Sequence, residues 1–121
     1  MIDKNKKIYD IHERIYQWVI SIINFTKELP RTQSNLIIIP QLTEAVTSVG
    51  ANDQEANGSN SKKDFIAKYS IVRKECKETL YWLRVVNDTN PPQFVRKVQL
   101  LTDEGREIGN IVSTIMNNAK K

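Results

Sequence analysis

Apolar residues recur at alternating spacings of three and four through four stretches of the chain, and the breaks fall at prolines or short polar runs. Such spacing places each set on one stripe of an α-helix. The first stripe is Ile8, Ile11, Ile15, Trp18 or Val19, Ile22 and Phe25, ending near Leu29-Pro30, since a residue before proline is pushed out of the helical region. The second is Leu36, Ile39, Leu42, Val46 and Val49, with Thr32 or Ser34 as candidate N-cap. Pro40 interrupts it. The helix either begins near Pro40 or is longer and kinked or loosened there, and the longer helix is favoured. Gly50 inside the pattern lowers helix propensity and suggests close packing. The loop Asn57-Gly58-Ser59-Asn60-Ser61 precedes the third stripe, Phe65, Tyr69, Val72, Cys76, Leu80 (or Thr79) and Leu83, with Ser61 as its N-cap. After Pro91-Pro92, with Asn90 as candidate cap, the fourth runs Phe94, Val98, Leu101, Gly105, Ile108, Val112 and Ile115. Gly105 on that seam predicts a close backbone approach, and the tail Asn117 to Lys121 reads as frayed.

No stretch alternates with period two, so strands are not expected. Four amphipathic helices, at about 5–28, 35–56, 62–87 and 92–117, with short connections predict an all-α, antiparallel up-down four-helix bundle in one domain, 1–121. The longest apolar run, Leu36 to Ile39, is four residues, far short of the roughly 20 that a membrane span needs. Met1 to Lys7 is polar with no apolar region behind it, so no signal peptide and a cytoplasmic location are expected. A single cysteine, Cys76, gives neither an internal disulfide nor a cysteine-cluster metal site. The net charge of +4 permits nucleic acid or an acidic partner without requiring either.

The charges of the third helix are segregated. Lys62, Lys63, Arg73, Lys74, Lys77 and Arg84 fall within a sector of roughly 120°, Asp64, Glu75 and Glu78 lie beside it, and only Lys68 breaks the pattern. A basic stripe along about 30 Å of helix could track a phosphate backbone. The alternative is an ordinary solvated face, or one partly paired with acids of neighbouring protomers. Tyr81 and Trp82 stand off the main seam and cannot both enter one core. Each then meets solvent, a neighbouring subunit or a base. Asn52 and Thr79 are read as packing and hydrogen-bonding residues that fix register between helices two and three. The lone His12, on helix one, has no Glu-x-x-His partner motif, which leaves no di-metal bundle site. Cys76, on the seam, reads as an inert buried thiol. Phosphate-loop, dinucleotide and serine-hydrolase motifs are all missing, and no metal or cofactor is expected.

Thr47-Ser48-Val49-Gly50-Ala51-Asn52-Asp53-Gln54-Glu55-Ala56-Asn57, then Ser61-Lys62-Lys63-Asp64-Phe65 and Lys74-Glu75-Cys76-Lys77-Glu78-Thr79-Leu80-Tyr81-Trp82-Leu83, resemble the bacterial four helix bundle protein family, also called 23S rRNA intervening-sequence proteins. The likeness covers helices two and three closely. The chain departs from the family pattern at Pro40, at Thr43-Glu44 where basic residues are common, and at Asp53 where an aromatic is common. Helix two thus lacks the basic and aromatic character of a nucleic-acid surface. The resemblance implies a ring-shaped homopentamer, and a more distant likeness to the accessory variability determinant of diversity-generating retroelements implies binding to nucleic acid and a reverse transcriptase. Glu55, Glu75 and Glu78 are the carboxylates of the family-like motifs. They could form an acid/base pair or a metal site, but are read as bridges between helices or subunits, together with Asn52, Thr79, Tyr81 and Trp82. The expected function is that of a noncatalytic nucleic-acid-binding accessory protein acting on structured RNA or an RNA–DNA template. A scaffold for an enzyme such as a reverse transcriptase is the alternative.

Overall fold

A computed structural model describes residues 10–121. Among these residues the chain forms four α-helices and no strand: α1 (Ile11–Thr26), α2 (Gln33–Asn57), α3 (Lys62–Thr89) and, after a 3-10 turn at Pro92–Phe94, α4 (Val95–Lys120). Residues 5–9 of the expected first helix, Ile8 among them, lie outside the described residues. Side-chain caps open the first three helices. Asp10 accepts from the Glu13 amide, Thr32 from the Asn35 amide and Ser61 from the Asp64 amide, each satisfying an amide with no intrahelical acceptor. Asn90 instead closes α3, its Nδ2 donating to the Val86 carbonyl at 3.0 Å, and α4 begins without a side-chain cap. The tail expected to fray is helical up to Lys120.

Cross-contacts give the topology. Along α1, Arg14, Trp18 and Phe25 meet Glu104, Leu101 and Phe94 in turn, so α1 and α4 run antiparallel. Asp53 meets Tyr69 and Asn35 meets Asn90, so α2 and α3 do the same. Each helix touches its two neighbours around the bundle, the up-down arrangement that short connections favour. No helix of the described residues is long and apolar enough to cross a membrane.

The core is built from the expected stripes, with a local rotation at the start of α2. Asn35 and Ile38 face inward, whereas Leu36 is exposed and Ile39 half-buried. Asn35 sets this rotation: its Nδ2 donates to the Pro30 carbonyl and to Asn90 Oδ1, both at 2.8 Å, tying the α1–α2 turn to the end of α3. Helix α2 runs through Pro40 without a break. Leu36, whose carbonyl loses its i+4 donor to the proline, and Pro40 are both exposed, so water can take that bond. Thr79 rather than Leu80 is fully buried on α3, and Met116 replaces Ile115 at the end of α4.

Trp18 sits at the centre, its Nε1 donating to the Leu101 carbonyl at 2.9 Å. The close approach expected at Gly105 is present. A Cβ there would overlap the Trp18 ring and lie 2.8 Å from Leu80 Cδ2.

Candidate nucleic-acid interface

The basic residues of α3 lie along its outer side. Lys62, Lys63, Lys74, Lys77 and Arg84 are exposed and Arg73 is half-buried. Among the described residues, Lys62, Lys63, Arg73, Lys77 and Arg84 form no ion pair; Lys74 has only a loose contact with Glu75, at 3.9 Å. Lys62 and Lys63 occupy the first turn of α3. There the helix dipole favours acids and disfavours cations by about 0.3–1 kcal/mol each. Helix stability therefore does not explain these two lysines. Lys68, which breaks the segregation, is paired instead with Glu55 of α2 at 3.3 Å.

The middle of the stripe borders a groove of about 270 Å³ between α3 and α4. Arg73 and Lys77 form one wall, while Arg106, Asn110 and Ser113 form the other. Gly105 and Gly109, one helical turn apart, leave α4 without side chains where it approaches α3, and the Gly109 backbone lies close enough that a Cβ would be 3.5 Å from Cys76 Sγ. Cys76 lies beneath, donating from Sγ to the Gly105 carbonyl at 3.4 Å. Burial pushes this thiol up to about 11, so it is protonated at neutral pH. The groove thus has a neutral floor and cationic rims, which suits an anionic chain lying between two helices. Arg106 was absent from the sequence reading because helical periodicity compares positions only within one helix. The Gly105/Gly109 spacing was the available signal for a close α3–α4 approach.

The other singled-out residues are dispersed. Asn52 donates to the Ser48 carbonyl at 2.9 Å and Thr79 to the Glu75 carbonyl at 2.8 Å, so both bond within their own helices rather than across the α2–α3 seam. Burial raises the Glu75 carboxyl above the usual carboxylate range and neighbouring Glu78 raises it further, against the pull of Lys74. Trp82 packs at the edge of the chain's own core, with its Nε1 buried and without an acceptor among the described residues. Tyr81 stands edge-on to it at 5.0 Å between ring centroids and is 58% exposed. Among the described residues, no three His, Cys, Asp or Glu side chains come together in a way that could hold a metal ion.

The sequence reading missed a second polar cluster altogether. Asp53 of α2 is 0% exposed, yet its carboxylate receives His12 Nδ1 at 3.0 and 2.9 Å and the Tyr69 hydroxyl at 2.8 Å. It therefore joins α1, α2 and α3. Burial, then the Asp53 carboxylate, raise the Tyr69 hydroxyl well above its ordinary value. On the far side of α1, buried Arg14 forms a fork with Glu104 at 2.8 Å through both Nε and Nη2, and also reaches Glu107 at 2.9 Å.

A model of the family described as 23S rRNA-intervening sequence protein matches residues 7–114. Among solved structures, a protein of unknown function from the S23 ribosomal protein family of Bacteroides thetaiotaomicron VPI-5482 is similar, with a TM-score of 0.80 and 27% identity, over 92% of this chain and 98% of that one. No curated protein matches the sequence.

Proposed function

The chain belongs to the 23S rRNA-intervening sequence protein family, and from that premise we propose that it is a noncatalytic accessory protein that binds structured RNA, or an RNA–DNA template, through the outer side of α3. The observation that carries this reading is the row of Lys62, Lys63, Arg73, Lys77 and Arg84, which have no ion-pair partner among the described residues and of which Arg73 and Lys77 border a groove that adds Arg106. Phosphates would displace counterions from these cations, so the mechanism is electrostatic positioning with little base readout. In this reading the chain assembles as a ring-shaped homopentamer, which would repeat the basic face around the ring.

Titration of the full chain with a structured RNA and a matched DNA duplex across a salt series tests the proposal. Several phosphate contacts, each contributing a log–log slope of about −0.9 on duplex DNA, are the expected result. No binding at low salt, with the assembly intact, refutes it. A second reading, a scaffold for a partner enzyme such as a reverse transcriptase, is favoured by the exposed Tyr81 ring set edge-on against Trp82. Under that reading, Tyr81→Ala removes partner binding while charge reversals on α3 do not.

A further inference from the structure

The groove between α3 and α4 differs from one end to the other. Gly105 of α4 approaches Leu80 of α3 and Gly109 approaches Cys76, so the two helices run antiparallel there. This register sets Lys77 toward Arg106 at one end, and Arg73 toward Asn110 and Ser113 at the other. One end therefore concentrates two cations, while the other combines one cation with an amide and a hydroxyl. At 1.5 Å per residue, Asn110 and Ser113 lie about 6 and 10.5 Å beyond Arg106 along α4.

The width of the groove limits what can enter. Its walls are neighbouring helices, whose axes pack about 8–10 Å apart, and Ser113 is half-buried. A duplex would rest on the cationic rims, with its paired strands held away from Ser113. A single strand is thin enough to lie in the roughly 270 Å³ between the walls. The neutral end then bears on the sugar. An amide and a hydroxyl each donate and accept hydrogen bonds. A deoxyribose offers them no hydroxyl at its 2′ position, whereas a ribose 2′-hydroxyl, itself donor and acceptor, matches both. Resting on the nucleic-acid reading of the α3 face, we infer that this groove takes one unpaired RNA strand and distinguishes it from DNA. One phosphate lies between Lys77 and Arg106, Arg73 takes the next, and Asn110 and Ser113 bond the 2′-hydroxyl of the sugar between them.

Fluorescence anisotropy with the full chain at low salt tests this against three labelled ligands: a short oligouridylate, the oligodeoxyuridylate of the same length, and an RNA duplex. The two single strands carry the same bases and phosphates and differ only at the 2′ position. Oligouridylate is expected to bind about tenfold more tightly than oligodeoxyuridylate, the worth of two hydrogen bonds. The double change Asn110→Ala with Ser113→Ala, at an exposed and a half-buried position, should lower oligouridylate affinity to the deoxy value. It should leave oligodeoxyuridylate and the RNA duplex bound as before, since the cations remain. Equal affinity of the wild-type protein for the two single strands would overturn the inference without any variant, and leave the nucleic-acid reading in place. An equal loss of all three ligands in the double variant, or a duplex weakened as much as the oligouridylate, would overturn it too. Failure of every ligand to bind the wild-type protein would refute the nucleic-acid reading itself, and the inference with it.

Discussion

The α1–α2 side and the α3–α4 side of this bundle handle polar groups in opposite ways. On the first, a fully buried carboxylate is bonded within the chain by His12 and Tyr69, and no other charged side chain among the described residues lines the cleft beside it, between α1 and α2. On the second, glycines and a thiol pack beneath the surface while Arg73, Lys77 and Arg106 remain unpaired among the described residues at the rim. The contrast separates charge that holds the helices together from charge left available to something outside. The first kind should dominate stability and the second should contribute almost nothing to it.

The largest expected effect follows from removing the shared acceptor. Asp53→Ala would leave the Tyr69 hydroxyl buried without a partner, and should cost about 3 kcal/mol in urea unfolding. A loss under about 1 kcal/mol would mean that this side is not held by its polar cluster. Alkaline pH gives the next effect. Because burial lifts the Cys76 thiol from an ordinary 9.0 to about 11, its contribution to stability is full below the lower value and is lost as pH rises through the upper one. Relative to Cys76→Ala, the wild-type protein should therefore lose about 2–3 kcal/mol across that window. Tyr69, also raised, pushes stability in the same direction in both proteins, so the comparison isolates the thiol.

Smaller effects sharpen the second half of the contrast. Gly105→Ala forces a methyl against Trp18 and Leu80 but gains helix propensity; thermal unfolding should show a net loss of about 1–2 kcal/mol. Arg106→Glu, at an exposed position, should change stability by no more than about 0.5 kcal/mol. A larger loss would place that arginine in the structural wiring.

The helices and most of the core were legible because a stripe recurring every three or four residues needs only its own helix to be read. Ile22, Val72 and Ile108 fell where the spacing put them. What spacing could not supply was pairing between helices. Asn35 turned α2 so that Leu36 faced outward, through bonds to Pro30 and Asn90 that no local pattern encodes. Asp53 was noticed only as a departure at one position, yet it gained its role from residues 41 and 16 positions away. Arg106 joined the basic face for the same reason. The six basic residues of the α3 stripe could be picked out because all of them share one helix.

The division of the surface into a wiring side and a binding side is tested most directly by moving the same charge to each. Arg106→Glu lowers the net charge by two, and so does the double change Ser21→Glu with Gln41→Glu at exposed positions of α1 and α2. Fluorescence anisotropy with a structured RNA at fixed low salt would compare them. A marked loss of affinity for Arg106→Glu, with near wild-type binding for the α1–α2 variant, is the predicted result. Equal losses in both would show that overall charge, not the face of α3 and α4, governs binding, and would contradict the assignment.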